Sequence, residues 1–256
     1  MTVYETFTFV SRCPIARACV ENKTLGHPCR KIVDYQATPK WGGAIYDTFQ
    51  LPEPWVGQID RAPILFVSSN PSIGDDRHAL GSSSDEEVWD SHYYLFGGGK
   101  RRYTTKGKYK VTDDGGQGDC VSTWAFVLQR AQELIPSRPV DPGIDYALTE
   151  VVHCKSQREV GVAEALDNCV ERHFTAIMTQ SVASLLVVMG QARRPVRRLT
   201  GIGADVRIAE VELGGRARLV VFLGHPTGSE RRTFIDVYAE ELPRLRRVVE
   251  RALSSR

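Results

Sequence analysis

Two residues equipped for chemistry follow apolar, strand-like runs that lie far apart in the chain. Ile64-Leu65-Phe66-Val67 leads into Ser68-Ser69-Asn70-Pro71-Ser72, and Leu219-Val220-Val221-Phe222-Leu223 leads into Gly224-His225-Pro226-Thr227. In open α/β sheets, ligands sit in the crevice outside the carboxyl ends of the strands. Such a sheet brings Asn70 and His225, about 155 positions apart, to one face. Taken singly, each reads as an ordinary turn or loop residue. Neither is needed to turn its loop, and the pairing is what points to chemistry. An amide has no usable pKa, so Asn70 can hold and orient a partner but cannot serve as a base.

The elements that must position them are legible in outline. Buried-strand patterns cover 63–68, 146–152, 184–189 and 218–223, and a less regular alternation covers 205–212. Helical periodicity fills 121–135, 162–181, 191–199 and 230–253. Strands alternating with helices predict a three-layer α/β sandwich, with a mostly parallel central sheet and helices on both faces. We expect one domain over 1–256. Residues 1–60, bearing Cys and Pro and only weakly periodic, read as an irregular layer over the core. Residues 72–118 match no regular element and read as a large active-site loop. That loop holds Trp89, Tyr93, Tyr94 and Phe96 among its glycines.

Composition excludes several classes. An apolar fraction of 42% and a charged fraction of 25% are those of a soluble globular protein. No apolar run approaches the roughly 20 residues of a membrane helix, and the N-terminal residues do not form a signal peptide. A cytoplasmic monomer, with no membrane association and no obligate protein partner, is the expectation. Net charge is only +2, but Lys100-Arg101-Arg102, Lys106, Lys108 and Lys110 cluster around Tyr103 and Tyr109. Arg193, Arg194, Arg197 and Arg198 form a second group. Basic clusters near aromatic residues suit a phosphate backbone with exposed bases, although a solvated face fits either cluster alone. Six cysteines in a cytoplasmic chain argue against a disulfide framework and leave metal ligation or burial. Cys120, opening a helix, reads as a small buried apolar residue.

Several motifs, in order, resemble the uracil-DNA glycosylase superfamily. They are Phe66-Val67-Ser68-Ser69-Asn70-Pro71-Ser72, Thr149-Glu150-Val151-Val152-His153-Cys154, Leu185-Leu186-Val187-Val188-Met189-Gly190 and Gly224-His225-Pro226-Thr227. The resemblance covers about residues 28–250, with 72–118 unmatched. It implies hydrolysis of the N-glycosidic bond of a base flipped out of DNA. Asn70 would place the attacking water, and His225 would stabilise the negative charge that arrives on the departing base. Backbone near Ser69 and Ser72 would help to hold the base, and an aromatic residue, Tyr94 by choice, would stack on it. Asp75 and Asp76 are candidate bases or plain turn residues. Lys100, Arg101, Arg102, Arg231 and Arg232 are the expected DNA contacts.

The chain departs from the family at Glu150, where the family usually has Asn. An ionised carboxylate only accepts hydrogen bonds, which favours the amino group of cytosine over O4 of uracil; a protonated one can donate. The expected substrate is therefore cytosine or a modified cytosine, with the large loop making room for a bulky 5-substituent. Repair and defence against modified foreign DNA both suit such an enzyme. Ordinary uracil excision, and a non-catalytic DNA-binding module of the same fold, are the alternatives. The resemblance also implies a structural [4Fe–4S] cluster held by Cys29, Cys154, Cys169 and, by proximity, Cys19, with Cys13 as the other choice. Lys155 reads as a solvated lysine rather than a Schiff-base nucleophile.

Overall fold

A computed structural model of the chain describes residues 1–41, 45–74, 79–112, 114–226 and 233–255. At its centre lies a six-stranded sheet of β1 (Trp55–Val56), β2 (Ile64–Ser68), β6 (Tyr146–Glu150), β7 (Leu185–Met189), β8 (Ile208–Leu213) and β9 (Arg216–Leu223), in the order β1-β6-β2-β7-β9-β8. The four inner strands are parallel, and both edge strands run antiparallel to their neighbours. Leu185 to Met189 are all buried, the continuous apolar run expected where helices cover both faces of a parallel sheet.

Alternate residues feed two separate cores. Leu65, Val67, Leu186, Val188, Val220 and Phe222 pack on one face, together with Phe7 and Val10 of α1 (Val3–Ser11) and Ile177 and Met178 of α7 (Thr175–Gln180). Ile64, Phe66, Val187, Met189, Val221 and Leu223 pack on the other, against α5 (Ser122–Leu134) and α10 (Leu242–Ser254). The predicted mixed α/β architecture, with a mostly parallel sheet between helical layers, is the one observed. No helix among the described residues is long and apolar enough to cross a membrane.

Four regions differ from the sequence reading. The N-terminal segment is helical: α1 opens on a Thr2/Glu5 capping box, α2 (Pro14–Val20) starts at its proline, and α3 (Arg30–Gln36) follows. Much of 72–118 is regular. It contains α4 (Asp85–Tyr93), opened by a Ser84/Glu87 capping box, and a three-stranded antiparallel sheet of β3 (Thr104–Thr105), β4 (Tyr109–Val111) and β5 (Gln117–Cys120). These elements are too short, and too rich in Gly and charge, for periodicity to reveal them.

The single helix expected over 230–253 is two, α9 (Phe234–Val237) and α10, because Pro243 suits a first turn and not a helix interior. The helix expected over 162–181 is likewise divided: α6 (Val162–Cys169) passes through a π turn at Val170–Phe174 before α7. The remaining helix, α8, spans Arg193–Thr200.

Candidate active site

Strand register sets the site. Ser68 pairs with Glu150, Val67 with Val188, and Met189 with Leu223. The carboxyl ends of β6, β2, β7 and β9 are therefore level, and adjacent strands lie about 4.8 Å apart. Glu150, Asn70, Gly190 and His225 follow one another along this edge, each supplied by its own strand end.

Asn70 is held by its amide. Nδ2 donates to Pro71 O at 2.8 Å, Ser156 Oγ at 3.1 Å and Ser156 O at 3.3 Å. Two of these partners are carbonyls, which only accept, so the amide orientation follows. Oδ1 is then the atom left to accept a hydrogen bond from a water. The neighbouring Ser69 Oγ donates to Glu159 Oε1 at 2.6 Å, whereas Ser72 is exposed. Glu159 and Arg158 both adopt left-handed backbone, at φ +57° and +54°, a conformation that costs non-glycine residues of order 1 kcal/mol each.

His225 is exposed and lies over Gly190, whose φ is +54°. A Cβ at Gly190 would stand 2.9 Å from His225 Cδ2 and 3.3 Å from its Cβ. Glycine is thus required here twice, for its backbone angle and for the closeness of the ring.

Glu150 is 6% exposed. Ser68 Oγ donates to its Oε1 at 3.3 Å, and its Oε2 is buried without a partner among the described residues. Burial pushes its carboxyl well up, and the nearby Glu53 pushes it further; Ser68 and Lys155 pull the other way. Glu53 arrives from the Pro52-Glu53-Pro54 segment that leads into β1. Its N–H donates to His153 O at 2.9 Å, and its own carbonyl accepts from His153 Nδ1 at 2.9 Å. Its carboxylate lies 3.5 Å from Lys155 Nζ and 3.7 Å from His92 Nε2. Lys155 is 2% exposed: the expected solvated lysine is instead buried and ion-paired, its backbone N–H held by Gln36 Oε1 at 3.0 Å. Glu53, His92, Ser156 and Glu159 carry no motif in sequence.

Tyr94 does not reach this face. It packs on Tyr93 and beside Gly98 and Gly99, and Gly98 in turn adjoins Gln58, which lies upstream of β2. Phe96 meets Tyr146, the first residue of β6, at 5.6 Å. Four residue steps of strand, about 13 Å, separate that end from Glu150. The other rings are structural: Trp89 stacks on Tyr93 at 4.2 Å and meets Phe7 and Tyr4 edge-on. The exposed Lys100, Arg101 and Arg102 belong to this same far end, where Lys100 N and Tyr103 OH bind Asp90. Of the described part of 72–118, Phe96 thus stands towards the amino end of β6, whereas His92 lies by Glu53. Asp75, Asp76, Arg231 and Arg232 lie outside the described residues.

The second basic cluster lies nearer. Arg193 and Arg194 open α8 just beyond β7, and Arg193 Nε donates to Gly190 O at 2.9 Å. Arg197 and Arg198 have structural partners: Arg197 covers the Phe222 ring at 3.8 Å, and Arg198 pairs with Asp167.

No protein-family model matches the chain, and no curated protein matches it.

Five cysteines, Cys13, Cys19, Cys29, Cys154 and Cys169, share one buried cluster with Ile32, Val33 and Phe49. All are free thiols. Burial pushes Cys29 up to about 12, with Cys13 and Cys19 adding to it, and raises Cys13, Cys154 and Cys169 as well. Cys13 adds to the upward shift of Cys29, Cys154 and Cys169 alike. It also caps α2 and lies 3.3 Å from His173 Nε2. Cys19 is fully enclosed, its Sγ 3.1 Å from Thr24 Oγ1, while the other four each keep 8–9% of their surface. Among the described residues, no three His, Cys, Asp or Glu side chains are close enough to hold a single metal ion. An all-thiolate set drawn from three segments suits an iron–sulfur cubane, whose four ligands bind separate irons and need wider spacing. Cys120, expected to be buried, is exposed at the end of β5.

Proposed function

We propose that the protein is a DNA glycosylase of the uracil-DNA glycosylase type, hydrolysing the N-glycosidic bond of a flipped pyrimidine. The observation that carries this reading is the level row of strand ends holding Glu150, Asn70 and His225. Breaking that bond requires a water at C1′, a hold on the base edge, and a donor for charge reaching the base. Asn70 orients the water through Oδ1, because its amide nitrogen is committed to Pro71 and Ser156. Glu150 meets the base edge from the next strand. His225, seated on Gly190, donates to the departing base. Arg193 and Arg194 adjoin this face and meet the phosphates, a part that sequence alone gave to Lys100, Arg101, Arg102, Arg231 and Arg232.

A [4Fe–4S] cluster belongs to this proposal, held by Cys13, Cys29, Cys154 and Cys169; Cys13 takes the fourth place because Cys19 is turned to Thr24. When bound, it ties the N-terminal helices to the loop beyond β6 without any change of redox state.

The test is alkali-labile strand cleavage after incubation with duplexes carrying uracil, cytosine or modified cytosines. Cleavage lost in Asn70→Ala and His225→Ala, with DNA binding retained, supports the reading. Tight DNA binding by the parent protein with no abasic sites would favour a non-catalytic module.

A further inference from the structure

We infer that Glu150 is a general acid that delivers its proton to N3 of a departing cytosine-class base, and that Glu53 is the positioning residue keeping that proton on Glu150. The inference rests on the glycosylase reading and assigns its substrate class.

The groups facing Glu150 come from four places. Ser68 on β2 donates to Oε1. Glu53 approaches from the segment before β1, Lys155 from the loop after β6, and His92 from α4 on the far side of Glu53. Among these described residues, the buried Glu150 and the partly buried Glu53 both lie near one lysine. Lys155 lies against Glu53, which His92 also approaches, so the ionised member of the pair is Glu53. Two carboxylates this close do not both ionise in a dry site. Glu150, more deeply buried, with Oε2 lacking any partner, is the one that retains a proton.

A carboxyl group with its proton is both donor and acceptor. It pairs with cytosine in two contacts, O–H to N3 and C=O from the N4 amino group. The same proton meets a chemical need. Uracil can leave as an anion because two carbonyls share the charge, and a hydrogen bond from His225 then suffices. Cytosine has an amino group in place of one carbonyl, and its N1 anion is a much poorer leaving group. In the proposed step, the C1′–N1 bond breaks with its electron pair going to N1. The Glu150 proton passes to N3, so the base departs neutral. The water held by Asn70 forms the new C1′–O bond and loses a proton to solvent, from which Glu150 is recharged. Asn at this position could read a base edge but could not supply the proton.

Glu150→Gln separates reading from acid catalysis, because an amide keeps the donor–acceptor pattern and has no proton to give. We expect cytosine-class release in single-turnover assays to fall by about 10²-fold or more in this variant. Infrared spectra at neutral pH should show the C=O band of a buried protonated carboxyl in the parent and not in Glu150→Gln. Glu53→Gln should move the alkaline limb of the pH–rate profile to lower pH, because the charge holding the proton is gone.

Cytosine-class release that survives in Glu150→Gln, or the lack of a Glu150-dependent carboxyl band, overturns the inference. Release of uracil alone by the parent overturns it while leaving the glycosylase reading in place. Release of no base from any duplex, with the band present, overturns the glycosylase reading and the acid role together.

Discussion

Replacing Gly190 by alanine tests the site at its tightest point. The new Cβ would stand 2.9 Å from His225 Cδ2, 3.3 Å from Cβ and 3.4 Å from Cγ, whereas carbon atoms are comfortable at about 3.5–4.0 Å. The ring must therefore retreat by roughly 0.6–1 Å. A misplacement of about 1 Å at a reacting centre costs on the order of 10²-fold in rate. The backbone adds its own cost: φ is +54°, and a left-handed alanine costs about 1–2 kcal/mol, or roughly 2–8 °C in Tm for a chain of this size. Gly201 supplies the control. Its φ is +70° with nothing within 4 Å of an added Cβ, so Gly201→Ala carries the same backbone cost without touching His225. Both variants should melt earlier by similar amounts, and only Gly190→Ala should lose about two orders of magnitude in single-turnover base release. Combining Gly190→Ala with His225→Ala should cost little more than His225→Ala alone. Equal activity in the two glycine variants would refute the placement of His225 as the group that matters at this edge.

The buried acid predicts a pH-dependent stability difference. Glu150 binds its proton more tightly folded than unfolded, so its contribution is fully present below its ordinary value of 4.5 and is lost as pH rises towards the folded value. Thermal melts of Glu150→Gln and parent should accordingly diverge in favour of the variant above that pH, by up to about 1.4 kcal/mol, or roughly 3–5 °C, per pH unit; parallel melting curves from pH 5 to 8 would contradict this. Trp89→Ala should destabilise the fold by about 3 kcal/mol through lost packing on Phe7 and Tyr93. Single-turnover base release in Trp89→Ala and Tyr94→Ala should nevertheless match the parent, and a selective loss of activity in Tyr94→Ala would place that ring at the base after all. Iron analysis and visible absorbance of anaerobically purified protein should show near-complete loss of cluster in Cys13→Ser and full retention in Cys19→Ser and Cys120→Ser; retention in Cys13→Ser would return Cys19 to the ligand set.

How much of this was written in the sequence follows from what each signal depends on. The inner strands declared themselves because burial on both faces demands unbroken runs such as Leu185–Met189. Their loops followed, because a strand end fixes where the next residues stand. Asn70, Glu150 and His225 were therefore legible, and so was the convergence of Cys29, Cys154 and Cys169. Partners that arrive across the fold were not. Glu53 reaches Lys155 and His153 from about 100 positions away, and Ser156 anchors Asn70 across 86; no local pattern records such contacts. The aromatic residues of 89–96 misled because rings that stack on a base and rings that stack on one another look alike in sequence. The fold separates them, setting Phe96 at the opposite end of β6 and packing Trp89 against Phe7 and Tyr93.

The clamp between Glu53 and His153 also bears on when the site comes into being. Its two hydrogen bonds, and the Gln36 bond to Lys155, join residues 100 and 119 positions apart. Contacts at such separation are closed late in folding, after local helices and adjacent strand pairs have formed. The parallel core of the sheet can thus be largely built while the carboxylate pair is still apart, and the site is completed when the 52–54 segment and Gln36 close onto the loop beyond β6. Read in reverse, local opening of the 52–54 segment and its edge strand β1 would separate Glu53 from Glu150 at a fraction of the cost of global unfolding. Hydrogen exchange at Glu53 N–H and Lys155 N–H should then run ahead of exchange in β2 and β7, making this edge of the sheet the part of the fold at which the carboxylate pair most readily comes apart.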